Sequence, residues 1–206
     1  MQVQSGSENA TDGLEKFRAD LRRKIFCIGL EKTGTTSFHH AMEFLGLESL
    51  HWGGQTVRDA VWRAHEQGLP VLSLIGRDFQ AYSNVDFIAQ KFEIVDRQYP
   101  GSKFVYTTRS IEDWLGSRRR HVRNNQLLRE IGKYDGTLLE IDEAKWRRRY
   151  DDHRRRVLEY FKGRDDFLEL AIDAENKWGQ ICKFLGAATP SAPFPHSNKG
   201  GAPRRS

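Results

Sequence analysis

A glycine- and threonine-rich loop between an apolar run and an amphipathic segment constrains the fold of this 206-residue chain more than any other feature. The apolar run is Ile25–Leu30, which is typical of a buried parallel strand. The segment after the loop has helical periodicity as far as Leu45 and is stopped by Gly46. A strand, a short loop and a helix in this order predict a β/α unit of a parallel sheet, because parallel neighbours need a crossover connection.

The same alternation continues along the chain. Apolar runs predict three further strands, at 71–75, 103–108 and 167–172. Helices are predicted at 54–67, 87–99, from Ser110, at 142–161 and at 178–185. Alternating strands and helices predict an α/β protein with a central parallel sheet flanked by helices. Since such sheets bind ligands at the carboxyl ends of their strands, we expect the site in the loops after Leu30, Ile75, Thr108 and Ile172.

The domain organisation is predicted to be simple. Residues 1–24 form a polar N-terminal segment without a secretory h-region, residues 25–201 a single domain, and residues 202–206 a tail. Residues 126–161 are interpreted as a basic helical insertion, in which residues 126–145 form either a lid or a flexible loop. No apolar run approaches the roughly 20 residues that span a bilayer. Two cysteines exclude a disulfide scaffold, so a cytoplasmic location is the default expectation, although a trimmed luminal domain would look the same.

The positive charge of the chain is concentrated in one segment. The chain has 33 Lys and Arg against 28 Asp and Glu, but residues 117–156 contain 13 of the former and only 7 of the latter. Such a block favours an anionic partner, whether a nucleotide, a sulfated sugar, a nucleic acid or a membrane surface. A salt-bridged, solvated helix face explains it equally well.

The loop itself, Gly29–Ser37, has the composition of an anion cradle. Backbone N–H groups and the N-terminus of a helix attract phosphate, and several hydroxyl groups add hydrogen bonds. Gly29 and Gly34 have the spacing of the G-x-x-x-x-G-K-[ST] loop, but Thr35 stands where that loop has its lysine. The loop's cation is Lys32 instead, which argues against a nucleoside triphosphatase.

A second anion-binding pair is indicated where the predicted strand 103–108 ends. Arg109 follows that strand directly, and Ser117 comes eight residues later, in a predicted helix. A guanidinium at the carboxyl end of a strand can bind a phosphate with two parallel hydrogen bonds.

Together the two motifs resemble those of the sulfotransferase family. The run Lys32-Thr-Gly-Thr-Thr-Ser37 is similar to the family's 5′-phosphosulfate loop, and Arg109 with Ser117 matches the pair that holds the 3′-phosphate. The resemblance implies a three-layer P-loop fold and an enzyme that moves a sulfuryl group from 3′-phosphoadenosine 5′-phosphosulfate to a hydroxyl or amine, leaving 3′,5′-adenosine bisphosphate, with no metal. The implied nucleotide-binding residues are Lys32, Thr33, Gly34, Thr35, Thr36, Ser37, Arg109 and Ser117, with Lys199 and Gly200 as candidates in a closing loop.

The general base is less well defined. Where relatives in this branch often carry two acidic residues, this chain has Gln80 and Asn84, and amides cannot accept a proton. Asp78 is the favoured base because it lies just past the predicted strand 71–75, and Lys32 is expected to neutralise charge on the leaving oxygen. The alternatives for the base are Asp86, Glu93 and His51.

The acceptor and the competing functions stay open. Trp52, Tyr82 and the basic segment suit a glycan, a phenol or another hydroxyl compound, whereas nucleic acid is not favoured as a partner. No convincing metal constellation is found, and His39 and His40 are assigned no ligand role. The alternatives are a P-loop nucleotide kinase or triphosphatase, a non-enzymatic nucleic-acid module, and a degenerate sulfotransferase homologue that binds nucleotide without a base.

Overall fold

The computed structural model describes residues 23–197 as alternating strands and helices. Residues 1–22 and 198–206 lie outside it, and with them the predicted nucleotide contacts Lys199 and Gly200. No helix within residues 23–197 has the length and apolar character needed to cross a membrane. In chain order the elements are β1 (Ile25–Cys27), α1 (Thr35–Phe44), β2 (Ser49–His51), α2 (Gly54–Glu66), β3 (Ala81–Ser83), α3 (Asp86–Gln90), α4 (Phe92–Gln98), β4 (Lys103–Thr108), α5 (Ile111–Glu130), α6 (Glu143–Tyr160), β5 (Phe167–Ala171) and α7 (Lys177–Leu185).

The five strands form one sheet in the order β2-β3-β1-β4-β5. Every neighbouring pair is parallel, with Ile25 opposite both Ala81 of β3 and Lys103 of β4. The predicted α/β class with a central parallel sheet is therefore confirmed. Because all strands point the same way, the segments that follow β1, β2, β3 and β4 meet at one edge of the sheet, the carboxyl edge.

The central strand β1 is buried on both faces, which explains why it consists only of apolar residues. Ile25 and Cys27 pack with side chains of α1 and α7 on one face. Phe26 and Ile28 pack with side chains of α2, α3, α4 and α6 on the other. The alternation along one strand thus builds the three layers of the fold, helices on each side of a sheet.

Three strands differ from the sequence-based expectation. The predicted strand 71–75 is wrong, since these residues form turns. The amides of Val71 and Leu72 donate to side chains at the end of α4, Gln98 Oε1 at 3.0 Å and the Tyr99 hydroxyl at 2.9 Å. Those side chains satisfy backbone groups that a sheet would otherwise satisfy. The sheet instead contains β2 and β3, neither of which was predicted.

The basic segment consists of two long helices joined by an irregular loop. Helix α5 runs to Glu130, so residues 126–130 are helical, contrary to the prediction of an irregular stretch from Gln126. The loop that follows is held against α5, because Asn125 Nδ2 donates to the Leu138 carbonyl at 3.0 Å and Gln126 Nε2 to the Leu139 carbonyl at 2.7 Å. Helix α6 confirms the helix predicted at 142–161.

Candidate functional site

The loop between β1 and α1 places uncapped amide groups at the carboxyl edge. Helix α1 begins at Thr35, and its N-cap is Gly34, which has no side chain to accept hydrogen bonds from the first turn. Gly34 adopts a left-handed conformation with φ of 99°, and a Cβ there would lie 2.9 Å from Ile172 Cδ1, so only glycine fits. The first amides of α1 thus remain available as donors for an anion.

Thr33 fixes the loop to the sheet. Its buried hydroxyl donates to the Leu30 carbonyl at 2.6 Å and lies 2.8 Å from the Thr107 hydroxyl of β4. The Thr33 side chain is therefore engaged inside the protein. Thr36 and Ser37 lie in the first turn of α1, where the Thr36 hydroxyl is 3.2 Å from His51 Nε2 and the Ser37 hydroxyl accepts a hydrogen bond of 3.1 Å from the Ser197 amide.

Arg109 lies against this loop. Its Nη1 donates to the Lys32 carbonyl at 3.1 Å, while its buried Nε has no hydrogen-bond partner in the described part of the chain. The Arg109 carbonyl in turn accepts a hydrogen bond of 2.6 Å from the Tyr150 hydroxyl of α6. The two predicted anion-binding motifs therefore meet in the fold. Ser117 lies in α5, is partly buried and follows the N-cap Ser110 by about two turns.

Lys32 is the cation of the loop. It is partly buried, adopts a left-handed conformation with φ of 70°, and has no carboxylate within ion-pair distance in residues 23–197. Burial lowers the pKa of its ammonium group. A half-buried cation without a partner is costly in free energy, and an anion bound at this place would lower that cost.

Glu31, the residue before Lys32, connects the loop to the basic helices. Arg149 binds its carboxylate with both terminal nitrogens, at 2.5 and 2.9 Å, and Arg118 pairs with the same group. The Arg118 guanidinium also packs over the rings of Trp114 and Trp146, 5.0 and 4.5 Å from their centroids. Burial, together with the charge of Arg149, lowers the pKa of Arg118 to about 10. The sequence analysis missed these ion pairs of Glu31, since no local pattern joins Glu31 to Arg149.

Most of the other arginines of the basic segment are paired with carboxylates. Arg156 binds Glu93, one of the candidate bases, at 2.6 Å. The remaining pairs are Arg119 with Glu143, Arg147 with Glu112, Arg154 with Glu169, and Arg155 with Asp152. The structure therefore favours the salt-bridged helix face over a free anionic-partner surface as the explanation of these charges.

Asp78 lies at the opposite edge of the sheet. It precedes β3, and its carboxylate binds Lys24 Nζ at 2.7 and 2.8 Å, where Lys24 directly precedes β1. The expectation that Asp78 follows a strand is thus wrong, because the predicted strand 71–75 does not form. This amino edge also contains a cavity of about 900 Å³, lined by both residues of this ion pair, by Leu72 and by Tyr99.

His51 is the candidate base that does reach the loop. It ends β2, its Nε2 lies 3.2 Å from the Thr36 hydroxyl, and its Nδ1 lies 2.9 Å from the Ser83 hydroxyl. The Ser83 hydroxyl donates to the Leu50 carbonyl at 3.3 Å, which favours the tautomer in which His51 Nδ1 donates to Ser83 and Nε2 accepts from the Thr36 hydroxyl. Burial, with smaller effects from His39, His40 and Lys32, lowers the pKa of His51 to about 4. The imidazole is therefore neutral at pH 7 and able to accept a proton.

A second imidazole faces Lys32 from the helical side. His121 lies in α5, one turn after Ser117, and is partly buried. Burial and the positive charges of Lys32 and Arg118 lower its pKa to about 4. The sequence analysis missed His121, although its spacing of four from Ser117 places the two side chains on one helix face.

Comparison with known proteins agrees with this arrangement. A family model described as sulfotransferase domain matches residues 24–131 and 125–202, so the chain belongs to the sulfotransferase family. A curated relative, the Ava biosynthesis cluster protein M of Aspergillus versicolor, is 23% identical over 217 residues, which cover 84% of this chain and 80% of the relative.

Proposed function

We propose that this protein transfers a sulfuryl group from 3′-phosphoadenosine 5′-phosphosulfate to a hydroxyl or amine of a small acceptor. The contact that carries the proposal is the hydrogen bond from Arg109 Nη1 to the Lys32 carbonyl, at 3.1 Å. It joins the loop after β1 to the end of β4, so two anion-binding elements are available to one doubly phosphorylated nucleoside. The buried, unpartnered Nε of Arg109 leaves a donor for the 3′-phosphate.

The loop residues would bind the 5′ side of this co-substrate. The first amides of α1 and the hydroxyls of Thr36 and Ser37 would hold the 5′-phosphate, because a helix N-terminus favours negative charge. Lys32 would stabilise the charge that develops on the bridging oxygen. Ser117 would join Arg109 at the 3′-phosphate. The co-substrate supplies an activated sulfuryl group. The chain's own residues therefore have to bind and orient the co-substrate and the acceptor, and accept a proton from the acceptor.

We propose His51 as the proton acceptor. Its neutral state is favoured at pH 7, and its Nε2 lies 3.2 Å from the Thr36 hydroxyl of α1. The ring would accept a proton at Nε2 once an acceptor hydroxyl replaces that contact. Asp78 is engaged with Lys24 at the other edge, and Glu93 is paired with Arg156. Asp86, exposed at the start of α3, is the remaining carboxylate among the candidate bases and serves as the comparison in the test below.

The acceptor would enter beside Lys32, between His51 and His121. The Trp52 side chain, 60% exposed, directly follows β2 and offers a ring on which a phenol or sugar can stack. Because most nearby arginines already bind carboxylates, the structure supports an uncharged phenol or sugar hydroxyl better than a highly anionic glycan.

Calorimetric titration tests the nucleotide site directly. Wild-type protein is expected to bind 3′,5′-adenosine bisphosphate more tightly than ADP or ATP. Arg109→Ala should weaken the bisphosphate by about 10- to 100-fold, since a hydrogen bond to a charged group contributes about 1.5–3 kcal/mol. Arg63→Ala, an exposed arginine of α2, is the matched control and should leave the affinity unchanged.

Two other outcomes are informative. A preference for ATP with Mg²⁺, accompanied by hydrolysis, would contradict the proposal and favour a nucleotide kinase or triphosphatase. Tight bisphosphate binding without transfer to any of a set of phenols, sugars and amines would favour the degenerate homologue, in which Gln80 and Asn84 replace acidic residues.

A further inference from the structure

Helix α1 carries a second cluster of functional side chains beyond its first turn. One ligand atom from each of His39, His40 and Glu43 lies within 4.8 Å of the others. The two imidazole centroids are 5.2 Å apart, and His39 Nε2 is 3.5 Å from Glu43 Oε2. Spacings of three and four residues bring Glu43 onto the same side of the helix as both histidines.

Two serine hydroxyls hold the rings. Ser49 of β2 lies 2.8 Å from His39 Nδ1, and Ser197 lies 2.7 Å from His40 Nδ1. Each ring therefore has Nδ1 engaged and Nε2 directed away from that contact. A hydrogen bond on one ring nitrogen is the usual way in which a protein orients a histidine that binds metal through the other.

The exposure of the cluster suits a bound ion. His39 and His40 are partly buried, while the Glu43 side chain is about half exposed and can approach an ion without unfolding the helix. Two imidazoles and a carboxylate are a ligand set that zinc and similar divalent transition metals prefer.

We propose that His39, His40 and Glu43 bind one divalent transition-metal ion of the zinc class, with water completing the coordination. This differs from the sequence analysis, which assigned the two histidines no ligand role. The site lies outside the nucleotide cradle, and the proposal does not depend on the proposed function. Its ligands connect α1 to β2 through Ser49 and to the segment after α7 through Ser197. The His39 ring also stacks on His51, at 5.4 Å between centroids, so a bound ion would fix one wall of the His51 site.

Zinc titration of the full chain, free of metal and without a polyhistidine tag, tests this site. We expect one Zn²⁺ per chain by calorimetry. His40→Gln and Glu43→Gln should each weaken binding at least tenfold, because each removes one of three protein ligands. His65→Gln, a partly buried histidine of α2 that packs on Trp62 and Phe87, is the matched control and should bind as the wild type does.

Three results would contradict the proposed metal site. Failure of the wild type to bind Zn²⁺ at 1:1 stoichiometry would overturn the proposal, as would binding that survives both substitutions. Weakening by His40→Gln alone would also overturn it, since two histidines without Glu43 are an incidental chelate. Circular dichroism of each variant shows whether a loss of zinc binding comes from a loss of folding. If one of the two variants misfolds, the other still tests the proposal.

Discussion

The two edges of the sheet differ in how their polar groups are satisfied. At the carboxyl edge the first amides of α1 lack a side-chain cap, Lys32 has no carboxylate partner in residues 23–197, and the Arg109 Nε is buried and unpartnered. At the amino edge Lys24, with a side chain only 4% exposed, is paired with Asp78. The amino edge nevertheless has a cavity of about 900 Å³. Unpaired donors, and not the presence of a cavity, are therefore the reason for placing the proposed anion site at the carboxyl edge.

The largest effect that tests this contrast is expected at His51. His51→Gln keeps a polar side chain but removes the proton acceptor, so we expect turnover to fall by about 10²- to 10⁴-fold. The affinity for 3′,5′-adenosine bisphosphate should stay near that of the wild type, which calorimetry would show. Asp86→Asn is the matched control, and a larger loss there than in His51→Gln would assign the base to α3 instead.

Lys32→Ala should have the next largest effect. Removal of one preorganised charge at the leaving oxygen typically lowers turnover by about 10²- to 10³-fold. The measurement is the initial rate of sulfuryl transfer at saturating co-substrate. Lys91→Ala, an exposed lysine between α3 and α4, should have the wild-type rate. Turnover within a few-fold of wild type in Lys32→Ala would mean that the loop cation takes no part in the reaction.

Acid should destabilise the protein through its buried imidazoles. The pKa values of His51, His121 and His153 are each lowered to about 4, first of all by burial, from an ordinary value of 6.5. Between pH 6.5 and 4 the unfolded chain binds more protons than the folded chain, so the free energy of unfolding falls as the pH falls through this window.

Urea unfolding at pH 8, 7.5, 6.5 and 5 measures this dependence. The stabilisation from neutral histidines is nearly complete about one pH unit above their ordinary pKa, so little change is expected between pH 7.5 and 8. His153→Gln should flatten the slope, because this ring is buried and lies 2.8 Å from the Ile28 carbonyl. An unfolding free energy that does not change from pH 6.5 to 5 would contradict the assignment of neutral, buried imidazoles.

The smallest effect is expected at the amino edge. Asp78→Asn should leave turnover unchanged, because its carboxylate faces Lys24 and not the loop. Since the Asp78 side chain is 58% exposed, the lost ion pair should lower the stability by about 1 kcal/mol, a fall of roughly 2–4 °C in Tm. Asp59→Asn, which changes an exposed carboxylate of α2, is the control for Tm. A tenfold loss of turnover in Asp78→Asn would reverse the assignment of the two edges.

Local signals predicted much of the fold. The strand 103–108 was found with both of its ends, because it is an apolar run bounded by Gly101 and Arg109. Ser110 caps α5 as expected, accepting a hydrogen bond from the Asp113 amide at 3.2 Å. Gly186 ends α7 in a left-handed conformation. Each of these features depends on residues within one or two turns, which is the range over which sequence patterns are informative.

The short strands escaped prediction. Strands β2 and β3 have three residues each, too few to show a period of two, and their serines and tyrosine obscure the apolar signal. Misplacing the second strand moved Asp78 to the wrong edge and left His51 among the alternatives. The His39, His40 and Glu43 cluster, in contrast, has helical spacing that the sequence contains, and a search for ligand pairs at three and four residues would have found it.

The sequence alone identified the loop that is proposed to bind the anion, because Lys32, Gly34 and the hydroxyls of α1 belong to a backbone turn and a helix N-terminus that neighbouring residues specify. Only the tertiary structure decided which side chains share that site. Strand order places β3 between β1 and β2, and contacts such as Arg149 to Glu31 join residues 118 positions apart. Such pairings arise from the packing of layers, on which the local periodicity of the chain carries no information.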